Sequence, residues 1–528
     1  MLKAILMLAK AIVLAAVFAG HASAAMVYNR GNTAEPETLD PNKASTTYEA
    51  NILRDLFEGL VMPDAKANIM PGVAESWLIS DDETVYTFKL RKDALWSNGD
   101  PVTADDFVYA FRRLENPATA AEYASMLYVV KNAEAINAGK MSPEEIGARA
   151  IDAKTLEITL KSPTPYFLEM LTHQATYPLH QVSVERLGTD WTKPGNLISN
   201  GPFILAERVP NDHIKIIKNT RFHDAGDVSL DAVVFYATED RSTAIKRFQA
   251  GELDSNDELP VEQIVDLSEK FGDQVRIGPY LGVYFCHINL AKEPWSNPQL
   301  RRAISMSIDR EFLADKVWGG SMFPAYGLVP PGIEGYQPYR PEYADTPEID
   351  RKDEAASILQ ALGYGPGNPL KLELRYDTSE NNQNTGVAIQ EQLRPLGIEV
   401  SLLNTDAKTH FSYLDGRGDF DFARNGWIGD YKDPETFLGI ARRASGNNSG
   451  HYHSPEFERL MDAAAAAGGH PEQRMKLLSQ AEKVLVDSDG MLPLLFYTSH
   501  NIVSSRLKGW EENVMDIHPS RFITVAPQ

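Results

Sequence analysis

The sequence predicts an α/β fold built from at least two sheet-centred lobes, and three observations carry that prediction. Alternating apolar and polar residues mark strands, capped amphipathic helices lie between them, and one stretch reads as a complete strand, helix, strand unit. Tyr86, Phe88 and Leu90 fall on one face with Thr87, Lys89 and Arg91 on the other, and Leu156, Ile158 and Leu160 repeat the pattern. At Thr103-Ala104-Asp105-Asp106 a hydroxyl cap and first-turn acids precede Phe107, Ala110 and Phe111. Asn297-Pro298 opens another helix, in which Leu300, Ile304 and Ile308 lay an apolar stripe expected to reach towards Trp318. From Leu370 to Asn404, alternation at Leu370, Leu372, Leu374 and Tyr376 gives way to a polar helix and then to Ile398, Val400 and Leu402. Such a crossover implies a largely parallel, covered sheet.

The amino end predicts export. Lys3 and Lys10 stand around and before an apolar run, Ala11 to Ala19, followed by Ala22-Ser23-Ala24. That pattern is a secretory signal with a small-residue cleavage site, expected to be cut after Ala24. The run is shorter than the roughly 20 apolar residues of a spanning helix, so no stable membrane insertion is expected. The only cysteine, Cys286, is far from the cleavage site, which argues against a lipid-modified amino terminus and against an internal disulfide. Loss of residues 1–24 removes two lysines and no acids, moving the formal charge from -22 to -24. A surface this acidic repels phosphate backbones, so nucleic acid is not an expected partner. The remaining 504 residues suffice for roughly three domains.

Catalytic and cofactor motifs do not emerge. Gly363-Tyr364-Gly365-Pro366-Gly367 follows a helix and precedes a strand, whereas a phosphate-cradling loop needs the reverse order, so it reads as a helix terminator. His451-Tyr452-His453 lacks a third metal ligand at recognisable spacing. No His-Glu-x-x-His, Gly-x-Ser-x-Gly or Walker loop occurs. Cys286, within the apolar run Val283 to Leu290, reads as a buried spectator. Neither a cofactor nor enzymatic activity is expected.

Longer motifs are more specific. Glu37-Thr38-Leu39-Asp40-Pro41, Arg54-Asp55-Leu56-Phe57-Glu58-Gly59-Leu60, Pro71-Gly72-Val73-Ala74-Glu75-Ser76-Trp77, the stretch from Phe88 to Asp106, Ser199-Asn200-Gly201-Pro202-Phe203, the helix at Arg301 to Arg310, and Phe420 to Pro434 follow one another along nearly the whole mature chain. Together they resemble the family-5 extracytoplasmic solute-binding proteins, most of all the periplasmic oligopeptide-binding proteins of ABC importers. The resemblance implies a type II (cluster C) periplasmic-binding-protein fold, with two lobes and an extra domain closing about a two-strand hinge. The expected division is residues 25–58 with 183–282 and 498–528 as lobe I, 59–182 as the extra domain, and 283–497 as lobe II. Crossings are expected near Pro279 to Phe285 and Leu492 to Tyr497. The implied partners are short peptides, a cognate ABC permease and its ATPase subunits, met by a monomer in the periplasm.

The same resemblance implies roles for individual residues. Asp430 matches the carboxylate that pairs with a peptide's α-amino group, and Arg424 and Arg417 match arginines that meet peptide carboxylates, a task suited to a planar, bidentate fork. The backbone of Asn425, Gly426, Trp427 and Ile428 is expected to hydrogen-bond the ligand as an added strand, a mode indifferent to side chains. Trp427, Tyr123, Tyr280, Phe285 and Tyr497 match pocket-lining aromatics. Departures limit the likeness: Ser45 and Thr47 replace an acid and an aliphatic contact, His410 replaces a tryptophan, and Asn382 falls near a carboxylate-binding histidine. Gly282 and Ile428 occupy positions that form a disulfide in enteric relatives. These departures leave peptide length and side chains open, and they keep an opine-like metabolite, a cell-wall peptide or a metal chelate as the alternative ligand.

Overall fold

Two long strands, Val275–Ile288 and Met491–Val503, organise the chain in a computed structural model that describes residues 25–526. The export segment expected at residues 1–24 lies outside the described residues. The strands pair antiparallel from Val275 with Ile502 to Pro279 with Thr498, then resume at Val283 with Phe496. One strand advances four residues there while the other advances two, so the ladder breaks over Tyr280 to Gly282. Pro279 has no N–H to offer a partner strand. Gly282 tolerates no side chain: a Cβ would meet Ile428 Cδ1 at 2.6 Å and Tyr497 Cδ2 at 2.8 Å. This broken ladder is the two-strand hinge.

Each end of the ladder carries further strands. On one side Phe422–Ile428 pairs with Val275–Ile288, followed outward by Leu370–Asp377 and Ile398–Thr405; we call this end lobe II. On the other, Ser255–Asp257 pairs with Met491–Val503, followed by Val27–Gly31, Ala232–Tyr236, His213–Lys218 and Phe203–Val209; this is lobe I. A separate antiparallel sheet, ordered Ala74–Ile79, Val85–Leu90, Thr155–Thr159, Ala148–Asp152, packs beside helix Ala104–Glu115. The crossover unit forms as its periodicity requires. Helix Glu380–Leu393 links parallel strands that pair from Leu370 with Ile398 to Asp377 with Thr405. The glycine run at Gly363 closes helix Glu348–Ala361, with Gly363 at φ +86°.

Burial explains why the hinge strand reads as a continuous apolar run. Tyr284, Cys286 and Ile288 enter one core with Leu372 and Leu374, whereas Leu281, Val283 and Phe285 enter another with Leu328 and Phe437. A strand covered on both faces loses its polar alternation. The Cys286 thiol is pushed up to about 12 by burial, consistent with an inert spectator.

One element departs from expectation. The helix opened by Asn297 stops at Ser307 rather than continuing towards Trp318. Ile308 is extended, and Asp309 caps a new turn by accepting from the Phe312 N–H. The break is accompanied by Arg310, whose fully buried guanidinium donates to the carbonyls of Pro493 and Ser305, each at 2.9 Å. A continuous helix would carry that arginine round the axis and away from those carbonyls.

Helix Ala104–Glu115 starts as expected, with Asp106 Oδ2 accepting from the Thr103 N–H at 2.8 Å and its hydroxyl at 3.0 Å. Its last residue, Glu115, is fully buried with neither carboxyl oxygen partnered. Burial pushes this carboxyl from 4.5 up to about 8. Between those values the folded chain holds a proton that the unfolded chain has lost, so stability falls as pH rises, by about 1.4 kcal/mol per unit. Glu115→Gln is expected to remove this slope, melting well above the wild type at pH 8 and close to it at pH 4.5. Thermal melts at the two pH values check this; an equal shift at both contradicts it.

Candidate functional site

The hinge leaves a cavity of about 410 Å³ between the lobes. Lobe I contributes Thr47, Asn51 and Arg54 from helix Thr47–Leu56, and lobe II contributes Trp318, Met322 and Tyr497. The helix is fixed by Glu49, whose Oε2 accepts from the Ser45 N–H at 2.9 Å and from the Thr46 hydroxyl at 2.9 Å. Ser45 therefore serves the cap through its backbone, while Thr47 and Tyr280 line the cavity.

Strand Phe422–Ile428 offers an open edge beside this space. Asn289 N–H donates to Asp421 O and Gly429 N–H to Leu281 O, so odd-numbered residues turn their backbone groups to the hinge strand and even-numbered ones turn outward. Leu370–Asp377 occupies the outer edge only at Phe422 and Ala423. Beyond it, His410 Nε2 donates to Arg424 O at 2.8 Å, and the Gly426 N–H donates to Asn425 Oδ1 at 2.8 Å. The Gly426 carbonyl and the Ile428 N–H are then left facing outward. A Cβ at Gly426 would lie 2.8 Å from the Tyr497 hydroxyl, so a side chain there would displace that ring from its bond with Arg424. Gly282 and Ile428 are direct cross-strand partners.

Arg424 is already engaged. It donates through Nη1 to Asp377 Oδ1 at 3.0 Å and through Nη2 to the Tyr497 hydroxyl at 3.0 Å, and its guanidinium lies 4.6 Å from the Tyr284 ring centre. The side chain of Asn382 joins the same network, donating to Asp377 Oδ1 at 3.0 Å and accepting from the Tyr284 hydroxyl at 3.1 Å. Sequence reasoning singled out Arg424 and Asn382 but missed Asp377, which carries no local signal beyond ending a strand. Arg417 sits exposed in a turn at φ +53°, donating to Ser445 O at 3.5 Å. His410 is fully buried, and Phe285 is 1% exposed in the lobe II core, set edge-on to His287; neither lines the cavity. Trp427 is half-buried and donates from its indole to Thr436 Oγ1 at 3.1 Å.

Asp430 follows on a tightly built loop. Asp433 makes two bonds with Arg474, at 2.6 and 2.7 Å, with both side chains buried. Tyr431 stacks on Tyr166 with ring centres 5.1 Å apart and planes 3° from parallel, and Lys432 donates to Asn68 Oδ1 at 2.7 Å. Among the described residues Asp430 itself has no hydrogen bond and no ion pair, and burial pushes its carboxyl up to about 6. Tyr123 stands in its field, stacked on His173 at 4.6 Å between ring centres. The loop thus holds a bare, half-buried carboxylate in place without neutralising it, which suits it to receive a cation. Among the described residues no cluster of side chains is placed to hold a metal ion, and no helix is long and apolar enough to cross a membrane.

Residues 68–449 match the pattern of bacterial extracellular solute-binding proteins, family 5 Middle. The chain is 37% identical to the periplasmic murein peptide-binding protein MppA of Escherichia coli (strain K12), over 91% of this chain and 89% of that one. An unliganded open form of the MppA periplasmic murein tripeptide-binding protein superposes with a TM-score of 0.86 at 36% identity, covering 95% of this chain and 98% of that one. Haemophilus influenzae OppA in complex with RPPGFSPFR superposes with a TM-score of 0.77 at 36% identity, covering 95% of this chain and 99% of that one.

The bare carboxylate has a measurable cost. With its value raised from 3.8 to about 6, Asp430 lowers stability fully above pH 6, progressively less as pH falls towards 3.8, and not below that. Asp430→Asn is expected to stabilise the empty protein at pH 8 by on the order of 2 kcal/mol, allowing for partial exposure. The gain should vanish near pH 4. Denaturant unfolding of both proteins at the two pH values checks this.

Proposed function

The chain belongs to family 5 of the bacterial extracellular solute-binding proteins, and on that premise we propose that it captures short peptides in the inter-lobe cleft for delivery to an ABC importer. The carrying observation is Asp430, an unpaired carboxylate held by a rigid loop just beyond strand Phe422–Ile428, although it is not itself among the residues that line the cavity. A peptide's α-ammonium supplies the missing charge, restoring as an ion pair the solvation that burial removed. The Gly426 carbonyl and Ile428 N–H accept the peptide backbone as an added strand, a mode that fixes chain direction and leaves side chains loosely specified. Closure about the hinge then sequesters the ligand without rebuilding either core.

In this reading the protein is exported by its signal segment, works as a periplasmic monomer, meets a permease with its ATPase subunits, and performs no catalysis. Support for the periplasmic setting and the peptide ligand comes from what MppA and OppA are named for and bound to. The name of MppA also favours a narrower second reading, in which the natural ligand is a cell-wall peptide. Mass spectrometry of ligand released from freshly purified protein separates the two: a mixture of ordinary peptides supports the first, a single muropeptide the second.

Unmodified tripeptides should raise the melting temperature, and amino-acetylated ones should not. Asp430→Ala should weaken tripeptide binding roughly 30-fold or more, since truncating one partner of a buried charge pair costs about 2–5 kcal/mol. Thermal melts read the first and titration calorimetry the second; equal affinity for acetylated and free peptide removes Asp430 from this role.

A further inference from the structure

Most charged side chains around the cleft are matched within the protein. Arg241 pairs with Glu258 at 2.7 Å, Asp516 binds His518 at 2.9 Å and Asn501 at 2.7 Å, and Arg424 is held by Asp377 and Tyr497. Arg54 is not. It lies in the last turn of helix Thr47–Leu56 and lines the inter-lobe cavity. Among the described residues its guanidinium has neither a hydrogen bond nor an ion pair, and its Nε is buried without a partner.

Its surroundings offset the charge only in part: Asp55 lends it a favourable field, and Asp257, Glu258 and Asp516 line the same cavity, yet none forms an ion pair with it. Asp55, the next residue, points about 100° further round the helix, and its Oδ1 accepts from the Ser520 N–H at 2.8 Å. Arg30 adds a like charge, and burial together with that charge weakens the hold of Arg54 on its proton. Tyr177 and Tyr280 offer it only neutral hydroxyls, both held far from ionisation by burial. His173, pushed down to about 3 by burial and then by Arg54, is neutral too. An unpaired buried charge is expensive, and a guanidinium fork matches a carboxylate bidentately.

We propose that Arg54 takes the carboxylate of the bound peptide, so that lobe II holds the ligand's ammonium through Asp430 while lobe I holds its carboxylate through Arg54. The proposal rests on the peptide-binding reading above, and it moves to lobe I a task that the resemblance attaches to Arg424 and Arg417. Those two are placed less favourably for it: Arg424 is already ion-paired with Asp377 and bonded to Tyr497, with only its Nε left buried and unpartnered, and Arg417 lies on an exposed turn. The Tyr123–His173 stack spans the gap, with Tyr123 in the field of Asp430 and His173 in the field of Arg54. A ligand whose two charges are fixed by opposite lobes favours the closed arrangement, because only closure satisfies both at once. A peptide lacking its anion is left on one lobe.

The test is calorimetric titration of trialanine, trialanine amide and Ala-Glu-Ala amide into the wild type, Arg54→Gln and Arg54→Lys. Amidation of trialanine should cost the wild type at least 10-fold in affinity and cost Arg54→Gln less than 3-fold, with Arg54→Lys in between. Recovery of affinity by Ala-Glu-Ala amide in the wild type alone identifies a side-chain carboxylate as the partner; no recovery identifies the terminal one. An amidation penalty of the same size in all three proteins overturns the assignment of Arg54 while leaving peptide binding intact. Failure of the wild type to bind any of the three peptides removes the peptide reading and this proposal with it. Small-angle scattering of the wild type supplies a measurement free of variants: trialanine should compact it and trialanine amide should not, and equal compaction counts against the proposal.

Discussion

The ladder between Val275–Ile288 and Met491–Val503 is the constraint on which the remaining structure depends. Both strands belong to both lobes, so neither sheet can form without fixing the other's direction. The ladder breaks between Pro279, which has no N–H to donate, and Val283, across Gly282, where a Cβ would crowd the Ile428 and Tyr497 side chains. That break sets Tyr280 and Tyr497 against the cavity. It also brings Phe422–Ile428 alongside with its outer edge free.

Electrostatics complete what topology begins. Charges that serve the fold are paired: Asp433 with Arg474 and Arg424 with Asp377 are both closed circuits. Two charges are left unpaired, Asp430 on its loop and Arg54 in the lining of the inter-lobe cavity. Burial without a partner is destabilising, and the loop that bears Asp430 withstands it through the Asp433 clamp and the Tyr431 stack. Stability is thereby concentrated around a group that is itself uncomfortable until ligand arrives. The same economy does not extend to Glu115, whose buried carboxyl lies outside the cleft and has no ligand to meet.

Much of this was legible in the sequence because it is written locally. Alternation at Tyr86 to Leu90, the cap at Thr103 and the crossover from Leu370 to Asn404 each depend on residues a few positions apart, and each forms. What escaped depends on distant partners. Nothing near Arg310 announces that it will donate to Pro493, just beyond the point where the helix stops. Arg424 finds Asp377, 47 positions away, and so is satisfied within the protein. Phe285 matches a pocket aromatic by motif, yet its parity on a strand buried on both faces turns it into the core opposite Tyr284. Arg54 opens the Arg54 to Leu60 motif, but an unpaired charge is recognisable only once every potential partner has been placed.

In the proposed function the empty protein keeps Asp430 unpaired until a peptide ammonium arrives, and counting protons on binding checks it. With its carboxyl at about 6, Asp430 is roughly half protonated at pH 6, and pairing with an ammonium drives it to the charged form. Calorimetry of trialanine binding in buffers of different ionisation enthalpy should record release of about half a proton per peptide at pH 6 and, because the free peptide's own α-amino group is about half deprotonated at pH 8, uptake of about half a proton there. Proton release that is absent at pH 6, or the same at both pH values, contradicts it.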